Sequence, residues 1–299
     1  MKAALLRTIP GELTIEEVQV DNPGPREVLI RTVAAGVCHS DKHYLTGDYT
    51  TPVPTVMGHE SAGVVEAVGD QVTYVAPGDH VITSLSVFCG HCRYCLSGRM
   101  ALCPHEDTMR HPDAPPRLSQ DGEVIHQYAD VSSFAEQLLV HEHAVVKVRP
   151  DMPLDRASLI GCAVTTGLGA VFRTAAVAPG ETVAVIGCGG VGLSAIQGAR
   201  IAGASRIVAI DIATPKLEMA ARFGATDLVD ASVGDAAEQV MEITYGGVDH
   251  AFDAIGRPTT PPQAFAMLRP GGTATIIGMI PLGATIELLL VRIHELDAT

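Results

Sequence analysis

The spacing of apolar residues differs between the two halves of the chain. In the first half, short segments such as residues 27–33 and 61–68 alternate apolar and polar positions, which predicts strands. Glycine and proline lie between these segments, and an opening hairpin is predicted around Pro10-Gly11. Residues 109–121 are polar and rich in proline, which predicts an irregular surface loop. This half therefore predicts a β-rich, barrel-like domain.

The second half alternates apolar strands with helical segments. Residues 182–186 form a continuous apolar run, as expected of a parallel strand that is buried on both faces, and residues 206–210 are predicted to form a second strand. Strands are also predicted at 226–229, 248–254 and 273–277, and helices at 193–202, 216–223, 235–244 and 262–268. This alternation predicts a doubly wound parallel sheet, so the fold class is α/β. We expect the domains to span residues 1–163 and 164–299.

Composition narrows the classes of partner and compartment. The chain has 299 residues, of which 47% are hydrophobic, so it can bury the cores of two domains. Its formal net charge of -14 disfavours nucleic acid and anionic membranes as partners. The sequence shows neither a signal-type apolar segment at its start nor a long apolar run, which predicts a cytoplasmic protein with no membrane partner. Seven cysteines in such a protein favour metal binding over disulfides.

Residues 38–60 bring together the side chains that a catalytic zinc ion uses. Cys38 and His59 offer a sulfur and a nitrogen ligand, and Glu60 adds a carboxylate. A catalytic zinc ion keeps three protein ligands, and Cys162, in the small-residue segment 159–167, is the candidate third ligand. Taken alone, Cys38 and His59 fit a buried thiol and a core histidine equally well.

A second group of cysteines predicts a structural metal site. Four thiols lie within fifteen residues, at Cys89, Cys92, Cys95 and Cys103. Four thiolates complete the tetrahedral shell of a zinc ion and leave no position for chemistry. An iron–sulfur cluster and a pair of disulfides are the alternatives that the spacing leaves open.

The segment that follows residues 182–186 matches the dinucleotide-binding motif Gly-x-Gly-x-x-Gly. The glycines allow a tight turn and let the backbone approach a pyrophosphate, whose charge the following helix N-terminus favours. Asp211 ends the next strand about twenty residues later, as this motif requires. Its carboxylate suits ribose hydroxyls and repels a 2′-phosphate, so NAD is expected, and Lys216 could reach a ribose oxygen or be an ordinary solvated lysine. The candidate cofactor-binding residues here are Gly187, Gly189, Gly190, Val191, Gly192, Asp211 and Lys216.

Together these motifs resemble the zinc-containing alcohol dehydrogenases of the medium-chain dehydrogenase/reductase superfamily, over residues 1 to about 290. The resemblance implies a GroES-like catalytic domain and a Rossmann domain, with the active site in the cleft between them. It implies two zinc ions per chain and NAD. The catalytic zinc would be bound by Cys38, His59 and Cys162, with Glu60 behind the ion and Asp41 orienting His59. The structural zinc would be bound by Cys89, Cys92, Cys95 and Cys103.

The resemblance also implies a reaction. Hydride would pass between a small-molecule alcohol and NAD, and Ser40 and His43 would relay the substrate proton to solvent. His39 would face the cofactor pyrophosphate and Thr166 the nicotinamide. The Cys-His-Ser-Asp sequence at 38–41 resembles the branch that oxidises the thiol adduct of formaldehyde. A turn hydroxyl and a surface histidine are the open alternatives for Ser40 and His43.

The chain departs from the family at its C-terminal end. Members run on for some tens of residues, which add a further strand and a returning segment, so we expect a truncated and incomplete Rossmann domain here. The chain is then expected to be poorly soluble or weakly active, and a non-catalytic zinc- and NAD-binding fragment is the alternative. A zinc-free quinone reductase is opposed by Cys38, His59 and Cys162. The family pairs through strands near residues 280–291, so a complete chain would form a homo-oligomer.

Overall fold

The computed structural model describes residues 1–104 and 106–288, and the chain divides into two compact units, Met1–Cys162 and Ala163–Thr299. The first unit is rich in short strands, and the second contains a parallel sheet with helices. The predicted α/β fold class is therefore confirmed. Of the segment predicted to pair two chains, residues 281–288 contain no strand, and residues 289–291 lie outside the described residues.

Over residues 1–104 and 106–162, the strands form three sheets. The largest is antiparallel, and Val28, Ile30, Leu138 and Val140, on paired strands of this sheet, belong to one apolar core. In spatial order its strands are Gln137–His141, Glu27–Gly36, Glu60–Val68, His80–Thr83 and Val145–Lys147. The second sheet contains His126–Gln127, Thr55–Val56, Lys2–Leu6 and Leu13–Glu17, and the third contains Gln19–Val20, Leu118–Gln120 and Glu123–Val124.

One prediction for this unit is wrong in part. Residues 109–121, predicted to be an irregular loop, include the strand Leu118–Gln120, which pairs with Gln19–Val20 and with Glu123–Val124. The side chain of Leu118 is buried in a small core with Ala3 and Leu5. Burial of this one leucine anchors a strand that is too short to show an alternating pattern in the sequence.

The helices of the first unit are short. The helix His39–Thr46 begins directly after Cys38 and ends at Gly47. Two single-turn helices and several 3₁₀ turns complete the unit: Arg93–Leu96, Leu154–Ala157, Met100–Leu102, Glu106–Thr108, Tyr128–Asp130, Glu142–Ala144 and Ser158–Gly161. Of the candidate ligands, Cys95 lies within one of these elements, and Cys38, Cys92, Cys103 and Cys162 directly flank others.

Over residues 163–288, five parallel strands form one sheet, in the order Asp227–Asp230, Arg206–Asp211, Thr182–Ile186, Val248–Asp253, Leu268–Ile276. Alternate residues of the central strand enter two different cores, with Val183 and Val185 on one face and Ala184 and Ile186 on the other. This explains its continuous apolar sequence. The helices are Ala163–Gly169, Gly190–Ala202, Thr214–Phe223, Ala236–Thr244 and Thr260–Ala266, and a π-helical turn spans Ala170–Thr174.

The prediction for residues 262–268 is wrong at its C-terminal end. The helix ends at Ala266, and Leu268 begins the strand Leu268–Ile276. The N–H of Val248 donates to the carbonyl of Met267 at 2.9 Å, which joins this segment to the sheet. Pro270, which follows, also disfavours a longer helix.

The described residues include no single helix that is long and apolar enough to cross a membrane, although Leu154–Gly161 and Ala163–Thr174 together meet that test of length and composition.

Candidate active site

Cys38 lies at the turn between the strand Glu27–Gly36 and the helix His39–Thr46. Its extended backbone leaves the N–H free to donate to Asp41 Oδ2 at 2.9 Å. Asp41 is only 2% exposed, so this bond fixes the start of the helix and holds a carboxylate in the interior beside Cys38.

His59 precedes the strand Glu60–Val68, and both His59 and Glu60 are buried. Gly58 has a φ of 88°, and a Cβ there would lie 2.4 Å from Ser133 Oγ, so the turn requires glycine. Glu60 pairs with Gly36 across the two strands. This pairing brings the carboxylate to the end of the strand that leads to Cys38.

Cys162 reaches the same region from the far end of the first unit. It follows the turn Ser158–Gly161, where Gly161 lies so close to Thr83 that a Cβ would be 2.1 Å from the Thr83 carbonyl oxygen. Thr83 ends a strand that pairs with Glu60–Val68. The thiol of Cys162 is therefore brought beside Glu60 by backbone packing.

The structure brings four candidate ligands together. The donor atoms of Cys38, His59, Glu60 and Cys162 all lie within 4.8 Å of one another. His59 Nδ1 is 3.3 Å from Asp41 Oδ1, and His59 Nε2 is 4.0 Å from Glu60 Oε1. A proton on Nδ1 that bonds Asp41 leaves the Nε2 lone pair for a metal ion, which is the arrangement that metal-binding histidines use.

The ionisation of this group supports a cation at its centre. The hydrogen bond from the Cys162 thiol, aided by His59, lowers the pKa of Cys38 to about 3, although burial opposes this. The same bond and burial raise the pKa of Cys162. Burial and the Cys38 thiolate raise the pKa of Glu60 to about 7. Burial alone would lower the pKa of His59, but Asp41 and Cys38 raise it to about 10. The four groups compete for protons, and a dication would release them, so this donor set fits zinc.

The two residues of the predicted proton relay lie on the helix that follows Cys38. Ser40 Oγ is 3.5 Å from Cys38 Sγ. His43 Nδ1 is 2.9 Å from Asp48 Oδ2, and the His43 side chain is 12% exposed. This hydrogen bond lowers the pKa of Asp48, so the carboxylate remains an acceptor for the imidazole. Asp48 therefore orients His43.

The four cysteines of the second group also converge. All their sulfurs lie within 4.8 Å of one another, and three measured separations are 3.9 Å for Cys89–Cys95, 3.5 Å for Cys92–Cys95 and 3.8 Å for Cys92–Cys103. Zinc–sulfur bonds of about 2.3 Å in a tetrahedron would separate the sulfurs by roughly 3.8 Å. A disulfide requires about 2.05 Å, so the geometry fits one tetrahedral metal ion and opposes disulfides.

Backbone amides support the thiolate state in this second group. The N–H of Cys89 donates to Cys103 Sγ and the N–H of Cys92 donates to Cys89 Sγ, both at 3.3 Å. An N–H donated by Cys95 is the main cause that lowers the pKa of Cys92 to about 7. His91, by contrast, is turned to solvent and lies 3.0 Å from Asp107.

In the second unit, the glycine motif forms a compact turn between a strand and a helix. Gly187 has a φ of 93°, and a Cβ on Gly192 would lie 1.7 Å from the Gly187 carbonyl oxygen. A Cβ on Gly189 would meet no other atom within 4 Å, so this side of the turn is open. The helix begins at Gly190, so the amides of Gly190, Val191 and Gly192 form its first turn. An open cradle at a helix N-terminus fits a pyrophosphate.

Asp211 is tied to this turn by its own carboxylate. Oδ2 accepts the N–H of Cys188 at 2.8 Å, and Oδ1 accepts the N–H of Ala213 at 3.1 Å. Lys216 Nζ is 3.7 Å from Oδ2. The acidic residue, the lysine and the glycine turn are therefore adjacent, which suits recognition of the adenosine ribose.

Two further candidates lie at exposed positions. His39 begins its helix, and its ring is 5.3 Å from the ring of His43. Thr166 is exposed on the helix Ala163–Gly169. Their predicted contacts with the cofactor stay predictions.

The sequence pattern did not identify Asp48 and Tyr128. Asp48 follows His43 by five residues, and this short spacing beyond the helix end was a usable signal. Tyr128 is buried, and its ring lies 5.5 Å from that of His59. It is distant in sequence from every ligand, so the fold alone reveals the contact.

Comparison with family models matches both units of the chain. Residues 24–150 match the alcohol dehydrogenase GroES-like domain, and residues 190–297 match the zinc-binding dehydrogenase domain.

Individual proteins are similar over nearly the whole chain. The S-(hydroxymethyl)glutathione dehydrogenase of Saccharomyces cerevisiae is 43% identical over 297 residues, which cover 95% of this chain and 77% of the yeast protein. An alcohol dehydrogenase zinc-binding domain protein from Burkholderia ambifaria superposes with a TM-score of 0.92 at 37% identity, over 99% of this chain and 81% of that one. Benzyl alcohol dehydrogenase from Acinetobacter calcoaceticus gives a TM-score of 0.90 at 32% identity, over 98% of this chain and 81% of that one.

Proposed function

Because the chain belongs to the zinc-containing alcohol dehydrogenases of the medium-chain dehydrogenase/reductase superfamily, we propose that it oxidises the thiol adduct of formaldehyde with NAD. The reaction converts the –CH₂OH group of the adduct to a thioester carbonyl, reduces NAD to NADH and releases one proton. The observation that carries the proposal is the meeting of four donor atoms, from Cys38, His59, Glu60 and Cys162, within 4.8 Å.

The ligand residues define where the substrate oxygen binds. Zinc, when bound, supplies a Lewis acid that lowers the pKa of a hydroxyl group. Cys38, His59 and Cys162 would hold the ion, and Asp41 keeps the His59 proton on Nδ1. The Glu60 carboxylate lies beside the other three donor atoms and can neutralise part of the charge of the ion.

We propose that Ser40 and His43 carry the substrate proton away. Ser40 Oγ lies beside Cys38 Sγ, so its hydroxyl is near the ligand group. His43 is held through Nδ1 by Asp48, which leaves Nε2 to exchange a proton with solvent. A histidine suits this step because its ordinary pKa is close to neutral pH.

The second unit carries most of the residues proposed to bind NAD, which accepts the hydride. The amides of Gly190, Val191 and Gly192 would bind the pyrophosphate, and Asp211 the ribose hydroxyls. The Asp211 carboxylate would repel a 2′-phosphate, so NAD is preferred to NADP. His39 and Thr166 are proposed to contact the pyrophosphate and the nicotinamide.

The choice of substrate has two supports. The Cys-His-Ser-Asp sequence at 38–41 resembles that of the branch acting on the thiol adduct. The yeast relative, which is 43% identical, is an S-(hydroxymethyl)glutathione dehydrogenase. We also propose that the enzyme works in the cytoplasm without nucleic acid or membrane partners, and that a complete chain would form a homo-oligomer.

The test is NADH formation by the zinc-loaded chain with formaldehyde plus glutathione, compared with ethanol and benzyl alcohol. We expect kcat/KM for the adduct to exceed that for either alcohol by at least about tenfold, which corresponds to roughly 1.4 kcal/mol of transition-state preference. Turnover of the simple alcohols without turnover of the adduct would overturn the proposed substrate, but it would still support a dehydrogenase. Two bound zinc ions and bound NAD without any turnover would support a non-catalytic fragment.

A matched pair of variants links turnover to the ligand group. His59→Gln removes a proposed ligand, while His126→Gln changes an exposed histidine of the same unit. The first is expected to lose activity together with one zinc ion per chain. The second is expected to keep both. Full activity in His59→Gln would rule out this metal site.

A further inference from the structure

An aromatic cluster connects two segments that carry the proposed zinc ligands. The ring of Tyr128 meets that of His59 edge-on, with centroids 5.5 Å apart. It also meets the ring of Tyr44 edge-on at 4.8 Å. Tyr44 belongs to the helix His39–Thr46, which carries Asp41 and begins after Cys38. Tyr128 is 8% exposed, so its ring fills the interior between the two segments.

The segment that carries Tyr128 is bonded to the backbone around His59. Ser132 Oγ accepts the N–H of Tyr128 at 3.1 Å and donates to the carbonyl of Val56 at 2.9 Å. The N–H of Ser133 donates to the carbonyl of Gly58 at 2.9 Å. The tyrosine ring and the imidazole are thus held on two backbones that are joined directly.

The backbone of this segment is strained. Ala129, Asp130 and Ser132 have φ angles of 52°, 56° and 60°, in a region that residues with a Cβ rarely adopt. Strain of this kind persists only where surrounding contacts enforce it, and it is concentrated near functional sites. Here the enforcing contacts are the hydrogen bonds of Ser132 to Val56 and of Ser133 to Gly58, in the segment that leads to His59. The strained turn directs the Tyr128 ring toward His59.

We infer that Tyr128 and Tyr44 are positioning residues for the zinc ligand His59. The hydrogen bond from Nδ1 to Asp41 fixes the tautomer, but at 3.3 Å it is long and leaves the ring free to tilt. Contact with the Tyr128 ring removes that freedom, and Tyr44 ties the position of Tyr128 to the helix of Asp41. This inference rests on the proposed function of His59.

The test measures zinc release from the full-length, zinc-loaded chain with a chromogenic chelator. In Tyr128→Leu, one of the two zinc ions is expected to leave roughly 10- to 100-fold faster, the range found when residues that support metal ligands are changed. The Cys89–Cys103 zinc is an internal reference in the same chain, and its rate is expected to stay unchanged. Tyr128→Phe retains the ring and is expected to restore the wild-type rate.

A spectroscopic signature separates positioning from loss of stability. Cobalt(II) is placed in the site formed by Cys38, His59 and Cys162, where its visible absorption bands report the geometry of the ligands. Tyr128→Leu is expected to shift and weaken them, while Tyr128→Phe is expected to match the wild type. Tyr44→Leu is a second, milder variant with the same expected direction, which serves if Tyr128→Leu fails to fold. Tyr74→Leu is the control, because Tyr74 bonds Val145 in the same unit and has no ring contact with His59.

The outcomes distinguish the inference from the function on which it rests. If wild-type protein binds zinc only at the four-cysteine group, the proposed function fails and this inference with it. If wild-type protein binds two zinc ions, but Tyr128→Leu and Tyr44→Leu keep the wild-type release rates and cobalt spectrum, the inference alone is overturned. Equal effects in Tyr74→Leu would also overturn it.

Discussion

Neighbouring side chains determine the chemistry of each candidate residue. Cys38 and Cys162 are the same type of residue, but the hydrogen bond between them lowers the pKa of one and raises that of the other. Burial raises the pKa of Glu60 to about 7, so a third acidic group in this space remains partly protonated at neutral pH. Such a set of donors is fully ionised only when a cation is bound. The residues around the donors, including Asp41 and Asp48, then orient the imidazoles.

The contact between Asp48 and His43 leads to a kinetic prediction. Asp48→Asn removes the charged acceptor at 2.9 Å and weakens the preference for a proton on Nδ1. We expect kcat to fall by roughly 10- to 100-fold, a part of the about 10²- to 10⁴-fold that a positioned proton-transfer group contributes, with KM for NAD little changed. Stopped-flow or steady-state measurement across pH 6–9 checks this. Asp70→Asn, at an exposed position, is the control, and an equal loss there would contradict the prediction.

Asp211 leads to a prediction about cofactor preference. Asp211→Asn keeps an acceptor for the N–H of Cys188 but removes the charge that repels a 2′-phosphate. We expect the ratio of kcat/KM for NAD to that for NADP to fall by at least about tenfold, or roughly 1.4 kcal/mol. Asp230→Asn, at the end of the neighbouring strand, should leave the ratio unchanged. An unchanged ratio in Asp211→Asn would remove this residue from cofactor selection.

At the scale of the elements, Glu27 ties a long loop to the strand Glu27–Gly36 in the largest sheet of the first unit. Its carboxylate accepts bonds from Arg110 and Arg117, both at 2.6 Å, and from the N–H of Gly24 at 2.8 Å. Arg110 also bonds Asp21, and Arg117 bonds the carbonyl of Thr108. The loop that follows Cys103 is therefore fixed to the start of the strand Glu27–Gly36, which ends next to Cys38.

This ion-pair network predicts a specific dependence of stability on pH. Burial opposes ionisation of Glu27, but Arg110 and Arg117 hold its pKa at about 2, against an ordinary value of 4.5. A lowered pKa contributes stability above the unfolded value, and that stability is lost as the pH falls from about 4.5 toward 2. Glu27→Gln should cost on the order of 3 kcal/mol at pH 7, and the difference should shrink below about pH 4.

Urea unfolding of both proteins between pH 7 and pH 3 measures this difference. Glu123→Gln is the control, because Glu123 forms an exposed pair with Arg7, and solvent screens exposed pairs so that they contribute little to stability. A difference between wild type and Glu27→Gln that stays constant across this range would contradict the assigned cause.

The sequence predicts elements well where burial is continuous and poorly where it is local. The strands Thr182–Ile186 and Arg206–Asp211 were predicted because both faces are buried and their inner residues, 183–186 and 207–210, are all apolar. The strand Leu118–Gln120 was missed because three residues are too few to show an alternation of apolar and polar positions. Cys38, His59 and Cys162 could be selected by residue type and motif. Tyr128 could not, because its contact with His59 depends on a strained turn that no spacing encodes.

At the scale of the whole molecule, the candidate metal ligands and the candidate dinucleotide-binding residues of the glycine turn lie in different units. Both cysteine-containing ligand groups lie within Met1–Cys162, and the glycine turn and Asp211 lie within Ala163–Thr299. Each unit has its own core, with separate clusters around Val28 and around Val183. Loss of zinc should therefore first lower the stability of Met1–Cys162, the unit that contains the candidate ligands.

Hydrogen exchange after chelation tests this separation. Removal of both zinc ions from the full chain is expected to reduce amide protection in residues 38–60 and 89–103. The strands Thr182–Ile186 and Arg206–Asp211 are expected to keep protection, because their buried contacts involve no ligand. Simultaneous loss of protection in both regions would show that the two units unfold together.

The distribution of the cysteines has a practical consequence. Six of the seven belong to the two ligand groups, and the seventh, Cys188, is 2% exposed, with burial raising its pKa to about 12. A folded chain with both ions in place should consequently resist alkylation and colour formation by thiol reagents. Each lost ion exposes a fixed set of sulfurs, two or four, so a simple count of reactive thiols reports how fully a preparation is metallated.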